Sequence, residues 1–279
     1  MTTTTFGARY ASALDDRGPL CVGIDPHPAL LQAWDLDPGI DGLKRFALEA
    51  TAALAPEAAV VKPQSAFFEA YGSAGIAVLE AVIADARDAG ALVLLDVKRG
   101  DIGSTMDAYA RAYLSDDSPL AADAITVSPY LGFGSLGPAI ELAARTGRGL
   151  FVLCRTSNPE SAHVQHAVLD GVRTVAQEIV DQVAALNVGA VPLGSFGLVI
   201  GATLTELDVD LSALNGPILA PGLGAQGADA TKVAALFGAA LPAVASSSSR
   251  EVLSAGPDPV ALRDAARRQN EALQDAARR

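Results

Sequence analysis

The sequence predicts an α/β protein that folds as a closed (β/α)8 barrel, in one domain over residues 1–279. Short apolar runs alternate with Ala-rich amphipathic stretches along the chain, which is typical of parallel βαβ units. The apolar runs number eight, the strand count of this barrel. A length of 279 residues also fits, because α/β barrels commonly reach about 250 residues as one domain.

The strand candidates share continuous apolar character, as in Leu92-Val93-Leu94-Leu95, which is expected when both faces of a sheet are covered. They are residues 20–24, 58–62, 92–97, 124–127, 149–154, 197–201, 217–220 and 242–246. An open, doubly wound sheet is the alternative, but no GxGxxG motif follows the first strand.

Helical periodicity fills the segments between these strands. It predicts helices over residues 43–54, 76–89, 104–114, 135–145, 164–186, 204–214 and 230–237. A last helix is predicted to start at Asp258-Pro259, an N-cap residue followed by a proline at the first helical position, and to run to the C-terminus.

Composition and charge limit the partners. The chain has 32 acidic and 20 basic residues, a net charge of −12, which argues against nucleic acid and anionic membrane surfaces. Residues 182–205 are uncharged and long enough to span a bilayer, but Pro192 and four glycines divide them, so we expect no membrane span. Residues 1–10 lack the pattern of a signal peptide, so we expect a cytoplasmic protein.

The cysteines and histidines give no sign of a metal site. Cys21 and Cys154 each lie in an apolar run, which indicates reduced, buried thiols; a disulfide between them is the less favoured alternative. His163 and His166 could share a helix face, but no carboxylate is evidently placed beside them. We therefore expect a solvent-exposed histidine pair, and no metal or cofactor.

Polar residues gather where the predicted strands end, and in a barrel the active site lies at the C-terminal strand ends. They are Asp25, Lys62, Asp96 with Lys98, Ser128, Arg155 to Asn158, the glycine-rich loop after Ala220, and Arg250. Asp96 and Lys98 are two residues apart, so their side chains should point to one face. Any one such residue could be an ordinary ion-paired rim residue. Lys62, Asp96, Lys98 and Asp101 together indicate a rigid array of alternating charges, since such charges are rarely buried.

A phosphate site is predicted at the opposite end of the chain. Pro221-Gly222-Leu223-Gly224-Ala225-Gln226-Gly227 follows the seventh strand and opens a helix, and Arg250 follows the eighth strand. Glycines let backbone N–H groups approach an anion, and a helix N-terminus adds a favourable dipole. The loop alone could be a plain turn. With Arg250 in place we favour phosphate, which barrels often bind at these two loops.

The run from Asp96 to Thr105, DVKRGDIGST, resembles the DxKxxDIxxT signature of the orotidine 5′-phosphate decarboxylase family. The segments around Lys62 (VKPQSAFFE), Ser128 (SPYLG) and Thr156 (TSNP) resemble the bacterial type 2 subgroup. The resemblance extends from Asp25 to Arg250, although the DxKxxD core is shared by a wider suprafamily.

The resemblance implies decarboxylation of orotidine 5′-phosphate to uridine 5′-phosphate and CO2, in de novo pyrimidine biosynthesis, without metal or cofactor. It makes Lys98 the proton donor to C6 and places Asp96 beside the substrate carboxylate, with Lys62 and Asp101 completing the array. It also implies a homodimer in which Asp101 and Thr105 reach the partner's site. The implied substrate-binding residues are Asp25 and Lys62 for the ribose, Gln226 and Arg250 for the phosphate, Ser157 for the pyrimidine edge, and Thr105 and Ser128.

Three other functions stay open from the residues. One is a metal-dependent sugar-phosphate decarboxylase or aldol-type synthase of the same suprafamily, against which the Thr156-Ser157-Asn158 segment argues. The second is a Schiff-base aldolase that uses Lys98 or Lys62. The third is a catalytically silent phosphate-binding barrel, which we would expect to lack Lys98 or Asp96.

Overall fold

The computed structural model describes residues 4–225 and 227–278, in which eight parallel strands form a closed barrel. The barrel strands are β1 (Leu20–Ile24), β2 (Val60–Pro63), β3 (Leu92–Arg99), β4 (Ala124–Val127), β5 (Gly149–Arg155), β8 (Phe196–Ile200), β9 (Ile218–Pro221) and β10 (Val244–Ser248). They follow one another around the barrel in chain order, and β10 pairs with β1. All eight predicted strands are confirmed, with ends displaced by no more than two residues, and the open sheet is excluded.

Helices cover the outside of the barrel and close one end. They are α1 (Phe6–Arg17), α2 (Pro28–Ala33), α3 (Ile40–Leu54), α4 (Ser65–Glu69), α5 (Gly72–Asp88), α6 (Gly103–Leu114), α7 (Gly137–Thr146), α8 (Ala162–Gln165), α9 (Val175–Leu186), α10 (Ala230–Phe237), α11 (Arg250–Leu253) and α12 (Pro259–Ala277), with 3-10 turns at Phe133–Leu136, Pro159–Ser161 and Gly238–Ala243. As predicted, α12 begins after Asp258, whose carboxylate accepts a hydrogen bond from Val260 N at 2.9 Å.

Two predicted helices are wrong. The segment 164–186 is interrupted after α8 by an antiparallel hairpin of β6 (Val168–Leu169) and β7 (Arg173–Thr174). Asp170 and Gly171 turn this hairpin with positive φ values of 55° and 74°, as Asp-Gly turns commonly do. Residues 204–214 form turns instead of a helix. There the carboxylate of Asp210 accepts a hydrogen bond from Ser212 N at 2.9 Å, a local contact that competes with helix formation.

The lower half of the barrel interior is apolar. The inward-facing residues of this layer are almost completely buried: Cys21, Val60, Leu94, Ala124, Phe151, Val199, Leu219 and Ala245. Helix α1, which the sequence analysis did not predict, closes the barrel below them. Phe6 and Tyr10 lie 6.0 and 6.1 Å from the Phe151 ring centroid, so this end is a packed core.

The next inward layer combines four polar side chains with glycine, leucine and proline residues. Two residues further along each strand come Gly23, Lys62, Asp96, Thr126, Leu153, Gly201, Pro221 and Ser247. Because side chains on a strand repeat with a period of two, this layer faces the same axis at the C-terminal strand ends. The buried apolar layer lies directly below these residues and closes the barrel interior on that side.

Both cysteines are buried and free, as predicted, and the disulfide alternative is wrong. Burial raises the pKa of each thiol to about 12. Within the described part of the chain, none of the helices combines the length and apolar character needed to cross a membrane.

Candidate active site

A cavity of about 660 Å³ opens at the C-terminal ends of the barrel strands, a size typical of small-molecule sites. The residues lining it that matter below are Asp25, His27, Lys62, Gln64, Phe67, Asp96, Lys98, Thr126, Thr156, Ser157, Asn158, Gly201, Pro221, Gly222, Leu223, Ala225, Ser249 and Arg250. The cavity therefore lies at the barrel end where the strand-end rule places an active site.

Charges alternate along one wall of the cavity. The Asp96 side chain is 7% exposed, and its Oδ2 accepts from Lys62 Nζ at 3.3 Å while its Oδ1 accepts from Lys98 Nζ at 2.6 Å. Thr126 Oγ1 donates to the same Oδ1 at 2.7 Å. Asp25 Oδ1 lies 4.0 Å from Lys62 Nζ. The order Asp25, Lys62, Asp96, Lys98 thus places each charge beside an opposite one.

The array keeps Asp96 and Lys62 ionised. Burial by itself would raise the pKa of Asp96, but the Lys62 and Lys98 cations and the Thr126 hydroxyl outweigh it and lower that pKa to about 2. Burial would likewise lower the pKa of Lys62, but the Asp25 and Asp96 charges raise it above its usual range. Asp96 is therefore a carboxylate, and Lys62 an ammonium, at neutral pH.

Lys98 reaches the cavity through an irregularity in β3. Its φ is +46°, and the β3–β4 register shifts between Leu95 and Arg99. Lys98 N donates to Thr126 Oγ1 at 2.9 Å, which fixes the turn. A side-chain-bearing residue in this conformation costs on the order of 1 kcal/mol. Both Asp96 and Lys98 line the cavity, as strand alternation predicts, but Lys98 is half-exposed and Asp96 is buried.

Asp101 and Thr105 lie outside the cavity lining of the single chain. Asp101 Oδ1 accepts from Ile102 N at 2.8 Å in its own loop, and Thr105 is exposed on the first turn of α6. The structure therefore joins Lys62, Asp96 and Lys98 in one site and leaves Asp101 apart from them.

The opposite rim carries the glycine-rich loop and Arg250. Gly222 and Gly224 have φ values of 116° and 78°, a region that favours glycine. The helix that follows this loop, α10, does not line the cavity, and Asp229 caps it by accepting from Lys232 N at 2.8 Å. The predicted phosphate residue Gln226 lies outside the described residues.

Residues 156–158 form a third side of the cavity, so the predicted Ser157 is in place. Ser128 is absent from the lining among the residues described, and Thr126 takes its position on β4. Sequence reasoning missed Thr126 and Gln64. Thr126 is two residues after Ala124, an inward-facing residue of β4, and Gln64 is two residues after Lys62. Phe67 also lines the cavity together with His27, and their ring centroids are 5.7 Å apart.

The predicted solvent-exposed histidines are confirmed, since the side chains of His163 and His166 are both exposed; the carboxylate beside His166 was not predicted. The Nε2 atom of His166 lies 2.8 Å from Asp208 Oδ2, a carboxylate from the loop after β8 that is distant in sequence. Across residues 4–225 and 227–278, no three His, Cys, Asp or Glu side chains group in a way that could hold a metal ion.

A closed (β/α)8 barrel with this charged, ligand-sized cavity at its strand ends defines a barrel enzyme. Residues 18–265 match the model of the orotidine 5′-phosphate decarboxylase / HUMPS family. The chain belongs to that family.

Similar proteins agree along nearly the whole chain. The orotidine 5′-phosphate decarboxylase of Salinispora arenicola is 62% identical over 264 residues, 95% of each chain. That of Streptomyces coelicolor is 57% identical over 94% of this chain and 95% of its own. A crystal structure from Streptomyces avermitilis superposes with a TM-score of 0.97 at 57% identity, covering 100% of this chain and 98% of that one.

Proposed function

We propose that this protein decarboxylates orotidine 5′-phosphate to uridine 5′-phosphate and CO2, in pyrimidine biosynthesis and without a cofactor. The observation that carries the proposal is the Lys62–Asp96–Lys98 array, with Lys62 and Asp96 buried, along one wall of a nucleotide-sized cavity. Membership of the family and the activity named for its relatives support it.

The chemistry requires a cation beside a developing carbanion. When the bond between C6 and the carboxylate breaks, the electron pair stays on C6, and Lys98 Nζ both stabilises it and delivers a proton. At about 4 Å and an effective dielectric near 20, one such charge pair contributes about 4 kcal/mol. Lys98 is the half-exposed member of the array, so it has room to turn from Asp96 toward the substrate.

Asp96 acts on the substrate carboxylate that leaves as CO2. With a pKa of about 2 it is ionised at neutral pH, so it repels a substrate carboxylate placed beside it. Departure of neutral CO2 relieves this repulsion. Binding of the remote parts of the substrate offsets the initial cost.

The cavity offers groups for those remote parts. Among the described residues none donates a hydrogen bond to Asp25 Oδ1, although this oxygen is buried, so a ribose hydroxyl would satisfy it. Lys62 lies beside it. Arg250 and the loop after β9 suit the phosphate, with Gln226 as a further candidate. We assign Ser157, which lines the cavity, to the pyrimidine, and on β4 we assign Thr126 to the substrate in place of Ser128.

We propose further that the active form is a homodimer in which Asp101 and Thr105 contribute to the partner's site. On the single chain both lie outside the cavity. The adjacent loops after β3 and β4 expose Ile102 at 62%, Tyr130 at 79% and Leu131 at 53%, an apolar patch typical of an interface. The localisation that we propose is the cytoplasm.

The activity is tested by following orotidine 5′-phosphate consumption spectrophotometrically, with and without EDTA. The wild type should turn over equally in both conditions, and Lys98→Ala should lose about 10³-fold or more in kcat. Lys44→Ala, an exposed lysine on α3, is the control. No turnover by the wild type refutes the function, sensitivity to EDTA indicates the metal-dependent relatives, and borohydride trapping of a carbonyl substrate indicates a Schiff-base aldolase.

The shared site is tested by mixing two inactive variants, Lys98→Ala and Asp101→Ala. In a mixed dimer, one site carries both substitutions and the other carries neither. Random re-association should restore about a quarter of the wild-type sites. No recovery, with mixed dimers demonstrated by mass spectrometry, would refute the placement of Asp101 across the interface.

A further inference from the structure

We propose that Gln165 is a positioning residue that fixes the loop Thr156–Asn158 and, through it, the part of the cavity that receives the pyrimidine. The proposal rests on the function proposed above and adds a residue that does not line the cavity.

The Gln165 side chain holds Thr156 at two points. Its Oε1 accepts from Thr156 N, and its Nε2 donates to Thr156 Oγ1, each at 2.9 Å. The same Oε1 accepts from Arg155 Nη1 at 2.9 Å. Two donors converge on one end of the amide, so that end is the oxygen and the orientation of the amide is determined.

The constraint passes along the loop. Thr156 Oγ1 donates to Asn158 Oδ1 at 2.7 Å, and Ser161 Oγ donates to Thr156 O at 3.0 Å. Ser157 therefore lies between two residues whose polar groups are held. On its other side, the backbone of Gly201 donates to Arg155 O at 2.8 Å. These bonds hold Ser157 in one position, although it lies in a loop without regular secondary structure.

Gln165 needs an anchor, because α8 is a single turn and such a helix is not stable by itself. Arg155 provides one: its side chain is 7% exposed, and its Nε and Nη2 donate to Asp208 at 2.7 and 3.0 Å. The Asp208 carboxylate also meets His166, the residue after Gln165, at 2.8 Å. The end of α8 is thus linked to the loop after β8 in two ways: His166 contacts Asp208 directly, and Gln165 contacts it through Arg155.

This geometry predicts a selective effect. Losing the amide of Gln165 should disturb the 156–158 side of the cavity and leave the Asp25, Lys62 and Arg250 sides intact. Ligands with a pyrimidine should bind more weakly, and a ligand with only ribose and phosphate should not. A general loss of structure would weaken both.

The test measures KM for orotidine 5′-phosphate and the inhibition constants of uridine 5′-phosphate and ribose 5-phosphate. For Gln165→Leu we expect KM and the uridine 5′-phosphate constant to rise about 10-fold or more, with the ribose 5-phosphate constant unchanged. Gln165→Glu keeps both acceptor contacts of Oε1 but replaces the amide donor by a carboxylate oxygen. The single Thr156 O–H can then donate to that oxygen or to Asn158 Oδ1 but not to both, so one bond of the loop is lost and about a threefold selective rise is expected. Gln182→Leu is the matched control, a partly buried glutamine on α9 that bonds Glu178 instead.

The outcomes separate the two proposals. Turnover by the wild type with equal rises of both inhibition constants, or with no rise, overturns the role of Gln165 alone. A wild type without turnover overturns the proposed function and this inference with it. If Gln165→Leu does not fold, Gln165→Glu decides, and the absence of a selective rise in that variant overturns the inference.

Discussion

Replacing Lys62 by methionine should lower the free energy of unfolding by about 3 kcal/mol, whereas the same replacement of Lys98 should change it by less than about 1 kcal/mol. Both lysines contact Asp96, but their side chains are 5% and 47% exposed. At 3.3 Å and an effective dielectric near 20, the Lys62–Asp96 attraction is about 5 kcal/mol before desolvation. Removing this buried cation leaves two carboxylates facing each other. Lys98 is screened by water.

The stability difference between wild type and Lys62→Met should also depend on pH in a defined direction. The pKa of Asp96 is lowered from 3.8 to about 2, so its contribution to stability is present above about pH 4 and is lost as the pH falls toward 2. Without Lys62 the pKa of Asp96 should rise, so the variant has less of this contribution to lose. The stability difference between wild type and Lys62→Met should therefore shrink as the pH falls through this window. The raised pKa of Lys62 itself matters only at alkaline pH.

Urea unfolding followed by circular dichroism at pH 7, and at intervals down to pH 3, measures both quantities. Lys98→Met is the matched control, since both variants are expected to be inactive. Equal destabilisation by the two substitutions would refute the assignment of different burial to the two lysines. A stability difference that widens in acid would refute the ionisation of Asp96.

Three further predictions concern other parts of the molecule. Arg250→Ala should raise KM by about 10- to 100-fold and should remove the preference for uridine 5′-phosphate over uridine in competition assays. The control Arg268→Ala, at an exposed position on α12, should do neither. An unchanged preference in Arg250→Ala would exclude Arg250 from the phosphate site. Phe6→Ala, which removes a side chain that is 1% exposed, should cost about 3–5 kcal/mol of stability with kcat within about twofold of wild type, and a large drop in kcat would contradict the separation of the barrel floor from the site. Cys21 and Cys154, with pKa values raised to about 12 by burial, should react with an aromatic disulfide reagent only after unfolding, so rapid labelling of the native protein would contradict their burial.

The strands and the charged wall were predictable from the sequence because both depend on local periodicity. Apolar runs of strand length gave the eight strands, and a period of two brought Asp96 and Lys98 to one face. The hairpin in 164–186 was missed although Asp170-Gly171 carries a turn signal, because helical periodicity on either side of it masked the interruption. Helix α1 was missed because its packing partner, Phe151, lies far along the chain.

Other features of the site depend on contacts between segments that are distant in sequence. Asp208 meets Arg155, 53 residues away, only because the loops after β5 and β8 are neighbours in the closed barrel. The contacts of Gln165 with Arg155 and Thr156 span ten and nine residues and have no periodic signature.

The barrel and the pairing of Asp96 and Lys98 on one strand face could be predicted from the sequence, because side-chain direction along a strand is a local property. The burial and contacts of these residues depend on the tertiary structure. In the folded protein Lys62 is buried and Lys98 is half-exposed. The backbone at Lys98 has a φ of +46°, and Asp101 lies outside the cavity of its own chain. Burial, backbone conformation at a register shift, and contacts between loops all depend on how the closed barrel brings its strands and loops together, which no local pattern specifies.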